Sequence, residues 1–148
     1  MKDKMKCEFP AKSINEGFAR VVVSAFAARL DPTVEELAEI KTAVSEAVTN
    51  VIIHGYKRKE GVVYIECEAE NNELTIIVTD KGEGIEDIAL ARTPMYTGNP
   101  DGERSGMGFT VMETFMDDVQ VASLPGAGTS VLMKKLLKKS GEDEGLDR

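Results

Sequence analysis

The pattern along the chain predicts an α+β fold: a two-layer sandwich whose mostly antiparallel, mixed sheet carries helices on one face. Three observations lead there. Apolar residues recur at helical spacing over residues 13–54, and they alternate with polar ones over 62–80 and again over 119–136. The resulting order is helices, strands, loop, helix, strands, which suits a sheet covered on one side.

Residues 5–9 form a short first strand closed by Pro10. Ser13 opens a helix, with Glu16 three residues on as a capping box. Phe18, Val21, Val22, Ala25, Phe26 and Leu30 follow as its apolar stripe. The motif DPT ends this helix and starts the next: Asp31 or Thr33 caps it, Pro32 suits the first turn, and Glu36 lies three residues after Thr33. The second helix runs to about His54, and Gly55 stops it. His54 is expected to be a satisfied helix-terminal residue rather than a catalyst.

After Gly61 the period changes to two. Val63, Ile65, Cys67 and Ala69 point one way, and Tyr64, Glu66, Glu68 and Glu70 the other. Asn71-Asn72 is a turn, and Leu74, Ile76 and Val78 resume the alternation, so the pair is a hairpin with one wet face. Residues 81–106 hold seven Gly and Pro and read as a long irregular stretch with one short helix near 85–91. A helix follows from about Met107 to Met116, then a hairpin pairing 119–124 with 130–136 across PGAG. Residues 1–137 are expected to be one domain, and 138–148, rich in acids, to be a disordered tail.

Composition narrows the function. The 148 residues carry 26 Asp+Glu against 18 Lys+Arg, a net charge of -8, so direct capture of nucleic acid is not expected. Aromatics are only 5% with no Trp, which argues against base-stacking platforms. Apolar runs are too short to cross a hydrocarbon core of about 30 Å, so no membrane span is expected. Cys7 and Cys67 have no metal-ligand or CxxC spacing and read as thiols in a reducing cytoplasm.

Three features carry chemistry. In DKGEGIED, Asp80 ends a core strand and Gly82 and Gly84 follow, which lets backbone approach a ligand while the carboxylate accepts from a ligand amine. In RSGMGF, Gly106, Met107 and Gly108 open a helix whose free N–H groups suit a phosphate, and Arg104 supplies a cation. This is neither a Walker A loop nor a dinucleotide fingerprint. On the second helix Val44, Ala47, Val48 and Val51 face inward, while Glu46 and Asn50 stack at i, i+4 on another face that Ile53 shares. An amide oxygen there suits Mg²⁺ with nucleotide phosphates, and a carboxylate suits orienting an attacking hydroxyl. Glu16 and Arg20 are a further i, i+4 pair, on the first helix, which reads equally well as an ordinary ion pair.

The order SEAVTNVIIHGY, DKGEGI, a lid, SGMGF and GAGTS resembles the GHKL ATPases across the whole folded region. That resemblance implies a Bergerat-type site for ATP or ADP, with Asn50 as the Mg²⁺ ligand and Glu46 as the acid/base residue. It also implies that Asp80 meets the adenine amino group, with Thr129 beside it through water, and that Gly82, Gly84, Gly106 and Gly108 frame lid and phosphates. SINEGFAR, the 31–56 segment and RSGMGF are similar to the anti-sigma serine kinases of sporulation. Membership there implies a cytoplasmic homodimer that binds sigma factor F through Arg20, with Glu16 as a partner contact. It implies phosphorylation of a serine on an anti-anti-sigma factor. A general-stress anti-sigma kinase and a non-catalytic nucleotide-sensing module are the alternatives.

Overall fold

The computed structural model describes residues 2–85, 88, 92 and 108–138. Five strands form one sheet: β1 (Asp3–Pro10), β2 (Val62–Glu70), β3 (Glu73–Asp80), β4 (Asp118–Leu124) and β5 (Gly128–Leu136). Their order is β1-β2-β3-β5-β4, and each of these pairings is antiparallel rather than mixed. Among the fully described elements are three α-helices that accompany the sheet: α1 (Ile14–Ala27), α2 (Val34–Asn50) and α3 (Gly108–Phe115).

Alternation sets which face each strand buries. Val63, Ile65, Cys67, Leu74, Ile76, Val78, Val131 and Met133 join Ala19, Val23, Ile40, Val44 and Met112 of the helices in one core. The helices therefore share one face of the sheet. The opposite face carries charge, with Glu68 near Lys2 and Lys4 and Glu66 near Lys6. The β2–β3 turn works because Asn71 and Asn72 both take positive φ, 52° and 66°, which asparagine tolerates better than most residues.

The second helix starts as its sequence indicates. Thr33 is the cap, not Asp31: its hydroxyl accepts from the Glu36 N–H at 3.1 Å, and the Glu36 carboxylate accepts from the Thr33 N–H at 2.9 Å. Asp31 instead supplies the left-handed residue, φ 51°, that breaks the preceding turn.

The first helix departs from expectation twice. Ser13 has helical φ and ψ and makes no side-chain cap, because a capping side chain needs extended backbone at that residue. The buried stripe is Ala19, Val23, Phe26 and Ala27, whereas Phe18 and Val21 are exposed. Cys67 is buried and Cys7 half-buried, and both are free thiols; burial pushes the Cys67 thiol up to about 12.

After Asn50 the chain does not continue as α-helix but makes a π-helical turn over Val51–Gly55. The extra residue per turn shifts the register beyond Asn50, and Ile53 packs half-buried against the core rather than continuing the Glu46–Asn50 face. Of the short helix expected near 85–91, only Ile85, which is not helical, and Ile88, which is helical and accepts from the Arg92 N–H at 3.0 Å, are among the described residues. The tail beyond Lys138 also lies outside them.

Lys135 belongs to a lysine run that leads into the tail, yet it is buried. Its ammonium donates to the Phe115 carbonyl at 2.5 Å and meets Glu39 at 3.0 Å, closing the C-terminus of α3 onto α2 and β5.

Candidate functional site

Asp80 is the last residue of β3, and only 5% of it is exposed. The Gly82 N–H donates to its Oδ1 at 2.9 Å. Burial pushes the carboxyl upward, and the backbone amides of Gly82 and Thr129 oppose that by stabilising the charge.

The carboxylate fits because three backbone segments lack side chains beside it. A Cβ at Gly55 would lie 2.8 Å from Asp80 Oδ2, and one at Gly82 would lie 1.9 Å from the Gly55 carbonyl. Gly128 has φ +97°, and its Cβ would meet the Asp80 carbonyl at 2.1 Å. The Glu83 N–H then donates to the Gly55 carbonyl at 3.1 Å, tying the turn after β3 to the end of the π-helical segment.

Sheet register adds a row of polar side chains. Asp80 pairs with Thr129, and Thr129 pairs with Ser123, so the three stand side by side on the same face of β3, β5 and β4. Ser123 Oγ lies 2.8 Å from Thr129 Oγ1. Gly84 joins from the turn, where its φ of +80° permits close approach to the Leu124 carbonyl.

Glu46 and Asn50 are one turn apart on α2, and both are half-buried. Gly108, the first residue of α3, abuts Asn50: a Cβ there would lie 3.2 Å from both Nδ2 and Oδ1 of the amide. Gly55 follows Asn50 by five residues, a rise of roughly 7 Å along the helix. The structure thus brings Asn50, Gly55, Asp80, Gly82, Gly108 and Thr129 to the C-terminal end of α2 and its π-helical extension.

Arg104, Gly106 and Met107 lie outside the described residues. Glu16 and Arg20 belong to α1 rather than to these elements, and their charged ends are 3.9 Å apart. His54 is half-buried in the last turn.

Sequence reasoning missed two members of the site. The Tyr56 hydroxyl accepts from the Lys81 N–H and donates to the Val62 carbonyl, each at 2.8 Å, while its ring covers Gly61. Ser123 is the other, and its partners come from three separate segments. The YKRKEG spacing could have pointed to Tyr56, since a glycine five residues after an aromatic allows the ring to fold back.

Among the described residues no helix is long and apolar enough to cross a membrane, and no group of three His, Cys, Asp or Glu could hold a metal ion.

Residues 9–135 match the family described as the histidine kinase-like ATPase domain. The chain is 61% identical over 137 residues to an anti-sigma F factor from Clostridium novyi, covering 92% of this chain and 96% of that protein. It is 62% identical over 136 residues to an anti-sigma F factor from Clostridium perfringens, covering 91% and 97%. Among solved structures, the catalytic domain of the histidine kinase ThkA superposes with a TM-score of 0.55 at 14% identity, covering 90% of this chain and 96% of that one.

Proposed function

The chain belongs to the histidine kinase-like ATPases and, within them, to the anti-sigma F factors, and from that premise we propose an ATP-dependent serine kinase that also sequesters sigma factor F. The observation that supports the kinase half is the meeting of the Asp80 carboxylate, the glycines around it and the Asn50 amide at one end of α2. In this reading Asp80 accepts from the adenine amino group, with the Thr129 hydroxyl beside it on the same face.

In this reading the phosphates lie toward Asn50 and the N-terminus of α3, since first-turn N–H groups of a helix have no acceptor within it and favour negative charge. Only Gly at position 108 leaves the Asn50 amide this close to that helix end. A hard cation fits one amide oxygen there, with phosphate oxygens and water completing its shell, so Mg²⁺ is part of the proposal. When bound it neutralises phosphate charge. Glu46, one turn away on the same helix, accepts the proton of the substrate serine hydroxyl. The serine oxygen bonds to the γ-phosphorus, the bond from that phosphorus to the β,γ-bridging oxygen breaks, and ADP leaves. Arg104, Gly106 and Met107 are assigned to phosphate contact on their sequence pattern alone, and Gly84 to the lid root.

The serine belongs to an anti-anti-sigma factor. Arg20, with Glu16 beside it, is assigned to the sigma factor; its guanidinium is half-exposed and available to an acidic patch. The reading includes a cytoplasmic homodimer, supported by the exposed α1 side chains Ile14, Phe18 and Val21. A monomeric Val21→Asp beside a dimeric wild type in sedimentation would support that arrangement, and an unchanged mass would remove it.

The test of the whole reading is incubation with ATP, Mg²⁺ and a purified anti-anti-sigma protein, followed by mass spectrometry. One phosphoserine on the substrate is expected. Nucleotide binding without any phosphoserine would leave a nucleotide-sensing module instead.

A further inference from the structure

Among the described residues Ser123 Oγ has three polar neighbours. The Ile85 N–H donates to it at 2.7 Å, the Gly128 carbonyl accepts from it at 3.0 Å, and Thr129 Oγ1 lies 2.8 Å away. A serine hydroxyl has one proton and two lone pairs. An amide can only donate and a carbonyl can only accept. If the Ser123 proton goes to Gly128, one lone pair takes Ile85 and the other takes the Thr129 proton. All three contacts are then made. If the Ser123 proton went to Thr129 instead, the Gly128 contact would be lost. The first arrangement is the one that satisfies the set.

The Thr129 proton therefore points away from Asp80 and toward β4. What Thr129 Oγ1 has left for a ligand beside Asp80 is lone pairs. Asp80 stands next to it on the same face, by sheet register. We propose that Ser123 is a positioning residue that sets base preference: by holding the Thr129 proton it makes the Asp80–Thr129 pair an acceptor-only surface, selecting a 6-amino purine over a 6-oxo purine. The proposal rests on the nucleotide reading above and assigns within it a residue that touches no ligand.

The same oxygen binds the Ile85 amide, at the root of the segment that follows the Gly82–Gly84 turn. Ser123 thus fixes the hydroxyl and the chain leaving the base site from one atom on the edge strand β4.

The test measures binding of ADP and inosine diphosphate by calorimetry to wild type, Ser123→Ala and Ser123→Thr. Ser123→Ala frees the Thr129 proton to donate, so the ADP-over-inosine-diphosphate ratio should fall about fivefold, the worth of one ordinary hydrogen bond. Ser123→Thr keeps a hydroxyl and should restore the ratio. Equal weakening of both nucleotides by Ser123→Ala, with the ratio unchanged, would overturn the proposal, since a merely structural serine predicts that result. Should Ser123→Ala not fold, Thr129→Val deletes the acceptor itself and must lower the ratio; no change there overturns the proposal as well. Wild-type protein that bound neither nucleotide would instead defeat the nucleotide reading on which the proposal stands.

Discussion

Gly108 and Asn50 meet across the α2–α3 contact with little room for a methyl group: a Cβ at 108 would stand 3.2 Å from both polar atoms of the amide, which would have to give way slightly. The φ at 108 is not positive, so alanine is compatible with the backbone there, and the consequence falls on Asn50. Gly108→Ala is expected to leave thermal stability equal or slightly raised, because alanine favours helix by up to about 1 kcal/mol. Mg²⁺-dependent nucleotide binding should drop several-fold as the amide is displaced. Calorimetry with and without Mg²⁺, beside a melting curve, separates the two effects.

Asp80 sits under opposed influences, burial raising its pKa and two backbone amides lowering it, with burial the larger. A carboxyl whose folded pKa is raised holds its proton tighter in the folded state. Its contribution to stability is present at low pH and is lost as pH rises through the folded value. Asp80→Asn should therefore leave the fold as stable or more so at neutral pH. It should also weaken ADP binding by about tenfold or more, the worth of a hydrogen bond to a charged acceptor. Wild-type affinity should fall on acidification from a pH above the usual carboxylate range, and the variant should lose that dependence. A flat wild-type titration would count against the assignment.

Glu46→Gln keeps the size and hydrogen-bonding capacity of a half-buried side chain while removing its basicity. Serine transfer is expected to fall by roughly 10²–10⁴, the usual contribution of a general base. ADP affinity should stay at the wild-type value. Near-normal transfer in a radiolabel assay would remove Glu46 from the mechanism.

Lys135 is a buried ammonium with two partners, Glu39 and the Phe115 carbonyl. Lys135→Ala strands both. The loss should be about 2–3 kcal/mol, below the figure for a fully enclosed pair because Glu39 retains water contact. Lys135→Met, which keeps the stem, should lose less. Urea unfolding checks the order of the three proteins.

Much of this was legible in the residues. Period-two alternation places every core side chain of β2, and the Thr33–Glu36 pair announces the start of α2 because a cap is a local device. The α1 stripe was misphased because Phe18 and Val21 are apolar yet exposed, and one chain's sequence does not separate core from uncovered surface. Asp80, Asn50 and the glycines stood out through residue type at strand and helix ends. Ser123 did not, since its meaning depends on register with Thr129 and on Ile85, 38 residues earlier. The burial of Lys135 was equally out of reach, since its partner Glu39 lies on another layer.

The last described residue also has an engineering use. The Lys138 N–H donates to Glu36 Oε2 at 2.9 Å, so this residue lies beside the first turn of α2. From there to Asn50 the helix rises roughly 20 Å. A fluorophore anchored at Lys138 would begin its reach at the opposite end of that helix from Asn50, a convenient place to tether the protein away from the proposed nucleotide site.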